Sequence, residues 1–308
     1  MNTASEVRTA DGAPVVVSSG YIWYSPADWW RFLRRWPVIP VLILVLVLLG
    51  AIFANQISPH EPDKGNLRAR DIPPLWFEGS TIEYPLGTNN LGQDMLVRVL
   101  EGARVSLVVA SVAVLFGLFV GTITGMLAGY FGGLLDELLM RLVDLWSSLP
   151  LLMIAIIWAV SIQPSLWSVT LLLSIFSWSS GTRNIRGEIL SLKNRDFVVA
   201  ARTMGASDMR ILWRHLFPQI VHIVIVVTTL RTGALIVAES GLSFLGVGLP
   251  ASVPSWGLLI TQGRAFLTTT NWWMSIVPGL FLFLTVMSLN FLGDWLRDRL
   301  DPRLRQID

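Results

Sequence analysis

Val105-Ser-Leu-Val-Val-Ala-Ser-Val-Ala-Val-Leu-Phe-Gly-Leu-Phe-Val-Gly-Thr-Ile-Thr-Gly-Met-Leu-Ala-Gly-Tyr130 is the stretch that decides the fold. It contains no Asp, Glu, Lys or Arg, and the uncharged run continues to Leu135. About 20 apolar residues rising ~1.5 Å each cross the hydrocarbon core of a bilayer. The segment therefore predicts a membrane-spanning helix. Residues 37–60 and 265–293 are also free of charge. The chain as a whole agrees, with 308 residues of which 53% are apolar and 14% charged, and a mean hydropathy of +0.60. A soluble domain is about 25% charged. Length alone would suggest about two ordinary domains. The composition replaces that reading with an integral membrane protein and excludes a soluble enzyme, a disordered tail or a disulfide scaffold.

Working outward, the sequence predicts six spans, at about 38–57, 105–130, 142–162, 166–181 (the least apolar), 219–244 and 272–292. The first starts well inside the chain, is longer than a signal-peptide core and lacks an obvious cleavage site, so it reads as an uncleaved anchor. Six spans put both termini on one side. Arg31, Arg34 and Arg35 before the first span place that side in the cytoplasm. Segment 183–218 carries Arg183, Arg186, Lys193, Arg195, Arg202, Arg210 and Arg214 and is expected to be cytoplasmic too. Trp272 and Trp273 open the last span as an interfacial belt would. The expected organisation is a cytoplasmic segment 1–36, a first helix 37–57, an extracytoplasmic loop 58–104, a core 105–296 and a cytoplasmic tail 297–308.

Several chemistries are excluded. The chain has no cysteine, hence no disulfide or thiol chemistry. Its lysines, Lys64 and Lys193, follow no phosphate-loop glycine pattern, so any ATP must be bound by another chain. A net charge of +2 is no nucleic-acid footprint. His60, His215 and His222 lack metal-ligand spacing, and His60-Glu-Pro-Asp-Lys64 and Gly241-Leu-Ser-Phe-Leu245 match neither zinc-protease nor serine-hydrolase patterns.

Gly117, Gly121, Gly125, Gly129 and Gly133 recur every four residues. They predict a line along which two helix backbones approach closely, either as plain packing or beside a moving pathway. Pro150 and Pro278 can kink their helices. Arg231 and Glu239 are costly in lipid and must face protein or water. They read either as an ion pair between helices or as pathway residues, and Glu239 near the outer end of its span is positioned to meet substrate. Arg141 and Asp144 read as an i,i+3 interfacial pair.

The cytoplasmic segment 183–218 is patterned. Asp196-Phe-Val-Val-Ala-Ala-Arg-Thr-Met204 reads as a short helix, stopped by Gly205. Ser207 can cap a second helix with Asp208 in its first turn, and Pro218 stands at the membrane edge. Ala200 and Ala201 beside Gly205 leave a flat surface for a partner. A basic hairpin lying on anionic lipid is the plainer alternative.

This segment resembles the cytoplasmic motif of ABC importer permeases, a Glu-Ala-Ala triplet, a glycine four residues on and a distal Leu-Pro. Ala200, Ala201, Gly205 and Pro218 match, while Val199 stands where Glu is usual and Phe217 where Leu is usual. Tyr84-Pro-Leu-Gly-Thr-Asn-Asn-Leu-Gly-Gln-Asp94, Gly102-Ala-Arg-Val-Ser-Leu107, Leu242-Ser-Phe-Leu-Gly-Val-Gly-Leu249 with Pro254-Ser-Trp-Gly257, and Asn290-Phe-Leu-Gly-Asp-Trp-Leu-Arg-Asp-Arg-Leu-Asp-Pro-Arg303 are similar to the dipeptide/oligopeptide/nickel permeases in their order. Asn90 and Gln93 depart from the usual residues there.

The resemblance implies an all-α protein of the bacterial cytoplasmic membrane. Spans two to six would form the five-helix core of a type I ABC importer permease. It also implies a second permease, usually a related chain, two ATPase subunits carrying ATP and Mg, and an extracytoplasmic solute-binding protein. Asp196, Val199, Ala200, Ala201, Arg202, Gly205, Ala206, Ser207, Asp208 and Pro218 would couple to the ATPases. Arg231, Glu239 and Ser243 are the pathway candidates, and no cofactor or metal is expected in this chain. The alternatives are an ion-coupled carrier using Glu239, though no inverted repeat is visible, or a channel subunit. Peptides are the default substrate, with nickel chelates, opine-like compounds and oligosaccharides open.

Overall fold

The structure, a computed structural model, describes residues 7–8, 14–15, 37–268 and 270–300. The chain divides into two compact units, Met1–Val38 and Ile39–Asp308. In the first, Val7–Arg8 pairs antiparallel with Pro14–Val15. Arg31, Arg34, Arg35 and tail residues 301–308 lie outside the described residues.

The regular structure described in the second unit is helical, apart from one isolated bridge, Thr88 to Asp94. Its helices of eight residues or more are α1 (Val38–Ile52), α2 (Met95–Phe131), α3 (Gly133–Ser148), α4 (Leu151–Ser161), α5 (Leu166–Leu192), α6 (Asp196–Thr203), α7 (Asp208–Phe244), α8 (Trp256–Gly263) and α9 (Trp273–Leu300). Three of them, α2, α7 and α9, are long and apolar enough to cross a membrane.

α3 and α4 pass the same test only together, across a 77° bend. The predicted span 142–162 is thus two helices. Leu149 is extended (φ −75°, ψ 121°), as a residue before proline tends to be, and Pro150 supplies no N–H to carry the first helix forward. α2 starts ten residues before the predicted 105, because the Asp94 carboxylate accepts from Leu96 N–H and caps it. That cap also anchors residues upstream. Ser58 Oγ donates to Asp94 Oδ2 at 2.8 Å, and His60 Nδ1 lies 3.0 Å from the same oxygen.

The glycine line is the seam between α2 and α5. A Cβ on Gly117 would lie 2.1 Å from Ser177 Oγ, on Gly121 2.8 Å from Trp178 O, on Gly125 2.7 Å from Thr182 O and on Gly129 2.8 Å from Ile189 Cβ. No side chain larger than hydrogen fits. Gly133 leaves the line: α2 ends at Gly132 (φ 67°), and Gly133 (φ 57°) opens α3 with nothing within 4 Å.

The charged end of α5 is pinned to α3. Arg186 grips Asp136 with Nε and a terminal nitrogen, and Arg183 reaches Asp144 at 2.7 Å. Arg141 pairs with Glu137, not with Asp144. The i,i+4 geometry serves Arg141 equally well, and Asp144 is left for the arginine on the facing helix.

Candidate functional site

The segment between α5 and α7 is a hairpin built on a helix stop. Ala206 N–H donates to Ala201 O and Gly205 N–H to Arg202 O, both at 3.0 Å. This is the six-to-one and five-to-two pattern that closes a helix through a left-handed residue. Gly205 is that residue, with φ +82°. α6 therefore ends where the sequence predicts. Ser207 differs, since its side chain makes no cap hydrogen bond and only its backbone oxygen accepts, from Ile211 N–H.

Pro218 does not end an element. α7 runs through it, because Ile211–Leu216 is wound as a π-turn. The wider ring relieves the clash and the missing donor that proline brings to a helix interior. The hairpin's second limb and the predicted span 219–244 are thus one helix of 37 residues.

The hairpin is seated rather than projecting. Val198, Ala201, Ile211, Leu212 and Leu216 pack with Met126, Ile185, Ile189 and Ile220 in one cluster under the ends of α2 and α5. Ala201 is 2% exposed, so it belongs to this seat and not to the flat outer surface. Outward stand Phe197, Val199, Ala200, Met204 (81% exposed), Met209 and Trp213. Their exposure was hidden in the sequence, because it depends on which faces of the two limbs the seat buries after the Gly205 turn.

One polar node ties seat to membrane helix. Tyr130, 7% exposed at the end of α2, donates to Asp208 Oδ1 at 2.6 Å and accepts from Arg202 at 3.2 Å. The Arg202 guanidinium also lies 5.8 Å from the Tyr130 ring centre. Lys193 Nζ donates to Gly129 O at 2.9 Å, closing the same helix end. Arg202 and Asp208 were legible as polar support, but Tyr130, 72 positions away, was not. Tyr130→Phe is expected to lose about 1 kcal/mol of this link. Solute moved per ATP hydrolysed by the reconstituted complex should fall roughly fivefold, that energy at 25 °C, with assembly intact. A double-mutant cycle with Asp208→Asn measures the shared part.

The intramembrane charges are not a pair. Glu239 is 0% exposed. Its carboxylate accepts from Ser106 Oγ and Ser243 Oγ, each at 2.8 Å, and from Ser240 Oγ at 3.4 Å. Ser243 Oγ in turn accepts from Leu249 N–H at 3.2 Å. The cluster fastens α7 to α2 and to the loop leading into α8. Glu239, which the sequence offers as a residue to meet substrate, is engaged here by serines of α2 and α7. Ser243 at i+4 was readable as a partner, whereas Ser106 was not. Glu239→Gln keeps an acceptor and is expected to retain uptake. Glu239→Leu strands buried hydroxyls at about 1–3 kcal/mol and should lower the thermal midpoint. Arg231, about two turns before Glu239 on α7, is exposed, and no described residue gives it a hydrogen bond or ion pair.

Residues 121–306 match the family of binding-protein-dependent transport system inner membrane components. The chain belongs to that family. It is 35% identical over 281 residues to the dipeptide transport system permease protein DppC of Bacillus subtilis strain 168, covering 91% of this chain and 86% of the relative. The oligopeptide transport system permease protein OppC of the same strain is 35% identical over 272 residues, 87% of this chain and 86% of the relative. The glutathione transport system permease protein GsiD of Escherichia coli O6:K15:H31 (strain 536) is 36% identical over 284 residues, 90% of each chain. The fold is that of the inward-facing MetNI methionine ABC transporter, at a TM-score of 0.56 over 67% of this chain and 98% of that one, with 19% identity. This inner membrane component is accordingly an ABC importer permease, and its relatives give no support to an ion-coupled carrier.

Proposed function

We propose that this permease forms half of the translocation path of an ATP-driven importer for short peptides, paired with a second, related permease chain. Two ATPase subunits would bind ATP and Mg and dock on the hairpin, and an extracytoplasmic binding protein would deliver the solute. Six spans with both termini in the cytoplasm suit this arrangement. Under it the 77° break of α3–α4 makes one span, α1 extended by the short helix Ala54–Ile57 makes another, and α5 a third. The enclosed Glu239 and Ser243 would serve the path as part of its wall, and Arg231 would face its interior.

The observation that carries the reading is the hairpin. An apolar surface around Val199, Ala200 and Met204 is held outward at a glycine-stopped helix end, on a seat shared with α2, α5 and α7. Asp196, Arg202, Ala206 and Asp208 would keep that surface in register, and Val199 gives the contact apolar character where Glu is usual. When ATP closes the ATPases, a seat this tightly packed passes the displacement to the helices above it. The two conformations interact differently with the ATPases, as any driven shift requires.

The test is uptake of tritiated dipeptides into proteoliposomes holding both permeases and both ATPases, with the binding protein outside and ATP inside. Accumulation that needs both ATP and binding protein is the expected result. Accumulation without ATP would make the chain a channel or carrier component instead.

A further inference from the structure

Within residues 219–244 of α7 the charged side chains are Arg231 and Glu239. They lie eight residues apart, about 12 Å along the axis, and Glu239 is already engaged by serines. Arg231 sits about 20 Å beyond Pro218, deep in the span, exposed and with no partner among the described residues. Its neighbours along α7 pack elsewhere, since Leu230 meets Gly293 and Gly233 meets Asn290, both on α9. Arg231 instead edges a cleft of about 20 Å³ between α2, α5 and α7, with Gly117, Ser177, Gly181 and Thr228 in its lining. At Gly181 the cleft is open, as an added Cβ would meet nothing within 4 Å. An ionised side chain at such a depth faces water or an opposite charge, and it marks a solute path more often than a structural position.

We infer that Arg231 binds the carboxylate of the transported peptide as it passes. The inference rests on the peptide-importer reading above. Dipeptides, oligopeptides and glutathione, the solutes in the relatives' names, differ in length and side chains but share a free carboxylate. A guanidinium recognises that group with two parallel hydrogen bonds and is indifferent to the rest. Ser177 and Thr228 share the lining, the Thr228 hydroxyl donating to Val224 O at 2.6 Å. The cleft has room for about one water, so the carboxylate would meet Arg231 at the cleft mouth and the second permease would supply the remaining wall.

The absence of cysteine from the chain makes the test specific. The complete complex is reconstituted with wild-type, Arg231→Gln, Arg231→Lys or Arg231→Cys permease. Uptake of tritiated dialanine, alanylphenylalanine and glutathione is then measured per ATP hydrolysed, normalised to assembled complex. Arg231→Gln is expected to lower this ratio about tenfold and Arg231→Lys about threefold, losses that fit one charge-assisted contact. Aminoethyl methanethiosulfonate, which restores a cation at Arg231→Cys, should recover uptake, and the neutral methyl reagent should not. The wild-type complex treated in parallel corrects for cysteines on other chains. Unchanged uptake in Arg231→Gln overturns the inference, as does equal action of the two reagents. Loss of complex assembly in Arg231→Gln but not Arg231→Lys would make the counter-ion a carboxylate of the second permease and overturn it as well. A wild-type complex that moves none of the three solutes refutes the peptide reading itself.

Discussion

Gly205→Val is expected to abolish ATP-driven uptake, while Gly205→Asn keeps a substantial part of it. Gly205 has φ +82°, a region that costs an ordinary L-residue about 1–2 kcal/mol and a β-branched one more. Asn enters it more readily. The cost falls on two hydrogen bonds, Gly205 N–H to Arg202 O and Ala206 N–H to Ala201 O. With these lost, α6 has no fixed end, and the exposed Val199, Ala200 and Met204 are no longer held in place. The space around Gly205 is open, with nothing within 4 Å of an added Cβ, so Val acts through the backbone and leaves the membrane core alone. The discriminating measurement is ATP hydrolysis stimulated by loaded binding protein, alongside the yield of purified complex. Stimulation like wild type in Gly205→Val would remove the turn from the coupling path. Gly205→Ala falls between the two.

Gly125→Leu is expected to prevent assembly of a stable permease. The first added carbon would stand 2.7 Å from Thr182 O and 2.9 Å from Ile185 Cβ. These are backbone and branched positions on a facing helix, and neither can swing away. Overpacking typically costs about 1–3 kcal/mol where the neighbours relax. Here the whole seam must part, which separates the Thr124–Thr182 hydrogen bond of 3.0 Å as well. The readout is the fraction of detergent-solubilised chain that elutes as assembled complex, with Gly181→Leu as the control. Gly181 lies on α5 but faces open space, so the same change in composition and helix propensity is tolerated there. A stable Gly125→Leu complex would show that α2 and α5 do not need this closeness.

How far these features could be read beforehand depends on the range over which each is encoded. The four-residue spacing of Gly117, Gly121, Gly125 and Gly129 is local, and it predicted a close helix–helix seam without naming α5. The stop at Gly205 is local too, because left-handed backbone selects glycine whatever lies around it. Features made by distant residues were out of reach. Tyr130 looked like the last aromatic of an apolar span, and only folding brings Asp208 and Arg202 to it. Ser106 lies 133 positions from Glu239, which is why Glu239 read as an ion-pair partner or a pathway residue and not as the centre of a serine cluster. Pro150 and Pro218 show the limit of a single-residue signal. One breaks the chain by 77° and the other is absorbed in a π-turn, and the difference lies in what their neighbours allow.

The fusion of the hairpin limb with the span above it has a geometric consequence. From Asp208 to Phe244 the 37 residues extend about 55 Å at ~1.5 Å per residue. If the ATPases dock on the hairpin as proposed, the helix is a lever driven from its Asp208 end, with the serine-held Glu239 near its far tip. A tilt of about 5° at the cytoplasmic end sweeps the tip by about 5 Å at that contour length, more than the width of a water molecule. The sweep grows with the length beyond the pivot, so in the proposed importer a small rotation of the hairpin would be enough to shift the outer end. Ile211–Leu216, where the winding is already irregular, is where such a lever would take up its strain.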